Sequence, residues 1–222
     1  RCSMSNLEFE RERPAAPRVV VVGLASCFGC QLQITNAEPY LLDVLGQIDL
    51  RYWQLASSDP MPEEFDVAGI EGAATTAEAI EAVRKKASAV IAVGACATTA
   101  GIPGMAAGNV EAGAAAVYGE AGAPEACGEL VDPAPISAYI DVDFEVLCCP
   151  IDAFDVLQRA IYGSNRLPQT ATLCGECKHN DRGCFFGRGI LCLGLVTRCG
   201  CGARCTSLGR PCNGCAGLSP DA

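Results

Sequence analysis

The sequence is short of histidine, of positive charge and of long apolar runs, and each shortage excludes something. The one histidine is His179. It lies just beyond Cys177 and is read as a surface side chain that hydrogen-bonds to backbone or to a neighbouring centre, rather than as a metal ligand. Lysine and arginine total 16 against 26 aspartates and glutamates, a formal net charge of −10, which argues against a nucleic-acid partner. No apolar run reaches the roughly 18 residues of a membrane span. No stretch combines a basic start, an apolar run and a small-residue cleavage site, as a secretory leader does. The expected setting is the cytoplasm. The opening RCSMSN reads as residues upstream of a natural Met4, so Cys2 is given no role.

Cysteine is what the sequence has in excess: 16 in 222 residues, in a chain that is 50% hydrophobic. That length fits one ordinary domain plus an appendage. Disulfide-dense proteins are usually short, secreted and poor in core, whereas this chain has apolar residues enough for a sizeable core, so metal is the preferred reading of the thiols. The charge is uneven. From Cys174 onward Lys178, Arg182, Arg188, Arg198, Arg204 and Arg210 face Glu176, Asp181 and Asp221, which is 6 − 3 = +3 and leaves −10 − 3 = −13 for the rest. A basic, thiol-rich tail suits the wrapping of anionic thiolate–metal centres.

Along the chain, RVVVVGLASC is a continuous β-branched run ending in small residues, a buried parallel strand. AEPYLLDVLGQ has helical spacing, IDLRYWQLA reads as a second strand, and FDVAGIEGAA as a third that ends at Gly72. TTAEAIEAVRKKA is a helix with a Thr cap, acidic early and basic late. SAVIAVGACA is a fourth strand and YIDVDFEVLCCP carries a fifth. IDAFDVLQRAIYG closes as a helix with Gly163 as its C-cap. Residues 101–128 are rich in small side chains and read as a helix plus loops. This alternation predicts an α/β fold with a parallel sheet. The expected division is a lead over 1–17, the α/β domain over 18–165 and a cysteine-rich tail over 166–222 with little regular structure.

Cys27 and Cys30 follow the first strand in SCFGC, Cys96 follows the fourth in GACA, and Cys149 follows the fifth in CCP. Ligands of a doubly wound sheet bind beyond the carboxyl ends of its strands, so all four thiols fall on one rim. Gly29 lets the main chain come close to them. Four thiolates from three strand ends suit an iron–sulfur cubane. Neighbouring strand residues point to opposite faces, so only one of Cys148 and Cys149 reaches this site, and Cys149 is chosen. Glu71, at the end of the third strand, shares the rim and reads either as a solvated loop carboxylate or as a partner or proton-relay contact. The tail supplies Cys174, Cys177, Cys184 and Cys192, then Cys201, Cys205, Cys212 and Cys215: two sets of four, with Cys199 left over. The tail is too small and too poor in large apolar residues to fold around itself, so it is expected to fold around metal. Zinc satisfies the same arithmetic, but the rim site favours iron–sulfur chemistry for the whole chain.

The segments ASCFGCQLQITNAE, IEGAATT, AVGACAT, Cys149–Pro150, CGEC, CLGLVTRCGCGARC and PCNGC together resemble the small, electron-transfer subunit of nickel–iron hydrogenases, over about residues 18–216. The sulfhydrogenase or NADP-linked delta type is the nearest in pattern. The resemblance implies a flavodoxin-like domain holding a proximal 4Fe-4S cluster on Cys27, Cys30, Cys96 and Cys149. It implies a medial cluster on Cys201, Cys205, Cys212 and Cys215 and a distal one on Cys174, Cys177, Cys184 and Cys192, with a 3Fe-4S form open at some sites. It also implies a large subunit carrying the nickel–iron site, and a flavin/NAD(P)-binding or ferredoxin-like subunit as acceptor. The family commonly has Gly where this chain has Cys148, and Ala or Gly where it has Cys199. Membrane-bound relatives use a histidine where Cys174 stands, and carry a twin-arginine leader. The chain is not expected to split hydrogen alone. Two other readings are a complex I-like quinone-reductase subunit and a zinc-stapled interaction module. If the rim faces a large subunit, Ala25, Phe28, Leu32, Ala73, Ala74, Ala97 and Ile102 are expected to form an exposed apolar patch. No role is assigned to Cys127, Cys148 or Cys199.

Overall fold

The computed structural model describes residues 15–119, 121–122, 131–162, 169–179 and 181–222. The Gly163 cap, Cys2, Cys127, most of the N-terminal lead and the boundary expected near residue 165 lie outside them.

Five strands form one parallel sheet: β1 (Arg18–Gly23), β2 (Asp49–Trp53), β3 (Val67–Glu71), β4 (Ala89–Val93) and β5 (Phe144–Val146), in the order β2-β1-β3-β4-β5. That is the flavodoxin-like order, whose switch point lies between β1 and β3. The strands are short β-branched runs because both faces are covered. Alternate residues go to opposite sides. Val20, Val22, Ala68, Ile70, Val90 and Ala92 pack with Phe65, Ile136 and with Ile80 and Val83 of α3 (Ala77–Lys86). On the other face Val21, Val67, Ile91, Val93 and Val146 meet Ile34 of α1 (Gly29–Thr35), Val44 of α2 (Glu38–Leu45), and Val156 and Leu157 of α6 (Ala153–Tyr162). Each fully buried Val or Ile contributes about 1.5–3 kcal/mol, so the sheet is a firm base for the loops at its carboxyl ends.

Two helices depart from the sequence reading. The first follows β1 directly: α1 starts just after Phe28, which lies in left-handed backbone at φ 58°. The second, α4 (Gly94–Thr99), begins inside the segment read as strand, at Gly94 with φ 82°. Both are single-residue turns that an apolar run does not announce. Within residues 101–128, α5 (Val110–Tyr118) and a 3₁₀ turn over Pro103–Ala106 fit the expected helix plus loops.

The described residues of the tail contain two four-residue helices, α7 (Cys174–Cys177) and α8 (Arg204–Ser207), two 3₁₀ turns, and isolated bridges Thr172↔Arg198 and Thr197↔Leu218. Its core is Leu173, Ala203 and Cys212. That is too little apolar burial to hold a chain of this length in one shape.

Candidate metal centres

At the carboxyl ends of the strands the structure gathers the four rim thiols. Cys27 and Cys149 are exposed, Cys96 is half-buried and Cys30 is buried. Burial pushes the Cys30 thiol up to about 12, with Glu71, Cys149 and Cys96 adding repulsion. Burial also raises Cys96, with help from Cys27 and Glu71, and raises Cys149, where Cys215, Cys96 and Cys27 add repulsion. Thiols held up by burial and by one another, as Cys30, Cys96 and Cys149 are, become thiolates together when a cation compensates them.

The backbone is shaped around these sulfurs. A Cβ on Gly94 would sit 2.5 Å from Cys30 Sγ, one on Gly101 3.0 Å from Cys96 Sγ, and one on Gly29 3.1 Å from Cys27 Sγ. The backbone N–H of Ile151 lies near Cys30 and that of Ile102 near Cys96, and each offsets part of the upward push of burial. Such donors stabilise thiolate ligands and orient them. Gly29 was legible in the sequence. Gly94 and Gly101 were not, because their neighbours come from other parts of the chain.

Glu71 is not a solvated loop carboxylate. It is 2% exposed, its Oε1 accepts the Cys30 N–H at 3.1 Å, and its Oε2 is buried with no hydrogen-bond partner. Beside it Gln31 Oε1 accepts the Trp53 Nε1–H at 2.6 Å. The expected apolar patch is smaller than predicted. Ala73, Ala74 and Ala97 are fully buried under the rim, and Ala25 and Phe28 are half-buried. Leu32 and Ile102 remain exposed, and exposed Met105 joins them.

In the tail, Cys174 lies in the field of Cys177, Cys192 and Cys184, which raise it after burial does. Cys205 is raised by burial and then by Cys215, Cys201 and Cys192. Cys201 lies beside the N–H groups of Ala203 and Arg204, the turn being set by Ala203 in left-handed backbone at φ 51°. Cys212 Sγ accepts the Gly214 N–H at 3.4 Å, and Cys212 N–H donates to Cys192 Sγ at 3.2 Å. Cys174, Cys177, Cys184 and Cys192 thus form one neighbourhood. Cys201, Cys205 and Cys215 form another, and Cys212 lies between Cys192 and Cys215. Cys199 is buried with its thiol 3.8 Å from Gln169 Oε1. Cys148, given no role by the sequence, lies near Cys201 and Cys215 in left-handed backbone at φ 84°. None of the described cysteines is in a disulfide, and among the described residues no three His, Cys, Asp or Glu side chains close onto a single-ion position.

A doubly wound sheet with thiols grouped on its carboxyl rim is thus followed by a cysteine-rich tail. Residues 27–162 match the family described as NADH ubiquinone oxidoreductase, 20 Kd subunit, and the chain belongs to that family. Relatives that extend through the tail are hydrogenase subunits. The chain is 34% identical to sulfhydrogenase 2 subunit delta of Pyrococcus furiosus, over 90% of this chain and 86% of that protein. It is 31% identical to a subunit of the F420-non-reducing hydrogenase of Methanocaldococcus jannaschii, over 91% of this chain and 82% of that protein. Among solved structures, a chain of an NAD+-reducing [NiFe]-hydrogenase in the H2-reduced state superposes with TM-score 0.58 at 26% identity, over 69% of this chain and 96% of that one. A chain of the [NiFeSe] hydrogenase of Desulfovibrio vulgaris Hildenborough superposes with TM-score 0.61 at 17% identity, over 91% and 94%, and shares the fold. The chain is therefore a hydrogenase small subunit of the nickel–iron type. No described helix is long and apolar enough to cross a membrane.

Proposed function

We propose that this chain is the electron relay of a cytoplasmic nickel–iron hydrogenase, with three iron–sulfur clusters. Cys27, Cys30, Cys96 and Cys149 hold the proximal one, Cys201, Cys205, Cys212 and Cys215 the medial one, and Cys174, Cys177, Cys184 and Cys192 the distal one. The donor set fits: the thiols are grouped, and the backbone N–H groups of Gly214 and Cys212 point at the sulfurs of Cys212 and Cys192. When bound, each cluster supplies a one-electron step. The protein's part is to hold the three centres in a row, keep water from the buried Cys30 side, and set each potential through hydrogen bonds and burial.

The observation that carries this reading is the junction between rim and tail. Cys149 lies in the field of Cys215 and Cys205 as well as of Cys96 and Cys27, so the first group adjoins the second. On the outer side, Leu32, Ile102 and Met105 beside the exposed Cys27 and Cys149 offer an apolar face to the large subunit that carries the nickel–iron site. The exposed side chains of the tail face the acceptor, a flavin/NAD(P)-binding or ferredoxin-like subunit.

The test is to purify the chain anaerobically with its copurifying subunits and follow hydrogen-dependent reduction of NAD(P)+ and of the three cluster signals together. Reduction of all three by hydrogen supports the relay. A complex that lacks a nickel subunit and reduces quinone would favour the quinone-reductase reading, to which the matched family's name points. Stoichiometric zinc in a colourless chain would favour an interaction module.

A further inference from the structure

Within the tail, one hydrogen bond joins the segments that carry two of the thiol groups. Glu176 lies in α7, between Cys174 and Cys177, and its Oε1 accepts the Gly200 N–H at 2.7 Å, at the short end of the range for such bonds. Glu176 immediately precedes Cys177, and Gly200 immediately precedes Cys201. The bond therefore links the backbone next to a distal thiol with the backbone next to a medial one. The same two segments already run side by side: the Leu173 N–H donates to the Thr197 carbonyl at 2.8 Å and the Cys199 N–H to the Ala171 carbonyl at 2.9 Å, around the bridge Thr172↔Arg198. At Gly200 a side chain takes over as acceptor. Gly200 has φ 116° and no side chain of its own to anchor the turn, so the anchor comes from Glu176. The second oxygen, Oε2, is buried with no hydrogen-bond partner among the described residues. One oxygen of this carboxyl is thus engaged and the other is not.

We propose that Glu176 is a positioning residue between the distal and medial centres: its Oε1 clamps the Gly200 N–H and so fixes the loop that presents Cys201 against the turn that presents Cys174 and Cys177. The proposal rests on the relay reading of the tail thiols. The physical reason is general. Groups behind the ligands of a metal centre orient those ligands, and a site is held to its geometry only when that support is itself fixed. With the clamp in place the two centres keep one separation. Without it the loop before Cys201 moves relative to α7, and the separation varies from molecule to molecule. The property used is reach. One acceptor oxygen is engaged, so an amide of the same length serves as well, whereas a carboxylate one methylene shorter does not.

The test compares Glu176→Gln, Glu176→Asp and Glu176→Ala in the full chain, assembled with its copurifying subunits and handled without oxygen. Two readouts are taken on each sample: hydrogen–deuterium exchange of the Gly200 amide, and the magnetic interaction between the medial and distal signals in the fully reduced state, by electron paramagnetic resonance. The Gln variant is expected to match the parent in both. In the Asp and Ala variants the Gly200 amide exchanges about 10-fold faster or more, as the loss of one such hydrogen bond allows. In the same two variants the medial–distal interaction broadens or disappears while the proximal signal stays in place. Empty tail centres in those two variants, with the Gln variant intact, would support the clamp as well. A Gln variant that behaves as the Ala variant would overturn the proposal, because charge rather than reach would then be the property used. So would an Asp or Ala variant whose medial–distal interaction is unchanged. A parent chain carrying no iron and sulfide would instead remove the relay reading itself. The Gly200 amide then decides the clamp alone: slow exchange in the parent and Gln variant with fast exchange in the other two supports it, and equal exchange in all four overturns it.

Discussion

Cys30 shows at the scale of one residue what the rim demands. Its thiol is buried in the field of a buried carboxylate that its own N–H holds, and a bound cation makes its ionisation favourable there. Removing a single ligand therefore removes a whole centre. Cys149→Ser is expected to abolish the proximal signal and Cys201→Ser the medial one, each lowering the iron count by about 4, whereas Cys199→Ser, whose thiol faces Gln169, keeps all three. Resonance spectra and iron analysis of the reduced variants decide this. The rim grouping of Cys27, Cys30, Cys96 and Cys149 was legible because their place after strands is written in the chain. Glu71 was half legible: its position on the rim could be read, its burial could not, since that depends on α1 covering it. The direction of Cys148 was beyond reading, because β5 ends at Val146 and a left-handed turn, rather than strand alternation, separates the two adjacent thiols.

At the scale of elements, the strand-to-helix turns carry the site. Gly94 joins β4 to α4 at φ 82°, and a Cβ there would lie 2.5 Å from Cys30 Sγ. Gly94→Ala is expected to destabilise the α/β domain by about 1–3 kcal/mol, through overpacking and left-handed strain. It should empty the proximal centre while the two tail signals persist. Thermal unfolding and cluster spectroscopy on the same sample check both parts, and full proximal occupancy would show that the turn relaxes. The five strands and helices α2, α3 and α6 were readable from apolar runs and helical spacing. The helices α1 and α4 were hidden because their sequences, GCQLQIT and GACATT, continue apolar or small-residue runs without a capping signal.

For the whole molecule, the two parts are held by different forces. The α/β domain has an apolar core on each face of its sheet, while the tail has three buried residues at its centre. Stripping iron with a chelator under reducing conditions is expected to leave the sheet domain folded and the tail open to protease, with cleavage on the tail side of α6. Equal resistance with and without iron would show that the tail folds on its own. Assembly is expected to depend on the exposed rim residues. Ile102→Asp, at a position 71% exposed, should abolish copurification with the large subunit and leave the tail signals unchanged. The parallel sheet was legible in the sequence from alternation, and the tail's scarcity of regular structure from its cysteine density. The smaller docking face was not, because alanines that look like surface in a loop are covered by the chain's own return.

The central claim is that three separate thiol groups each hold an iron–sulfur cluster, and one measurement tests it most directly: iron, acid-labile sulfide and zinc counted on the anaerobically purified chain, alongside its Mössbauer spectrum. The account predicts about 12 irons with matching sulfide if all three are cubanes, or about 11 if one is a 3Fe form, and negligible zinc. Stoichiometric zinc with little sulfide, or iron enough for the rim site alone, would contradict it.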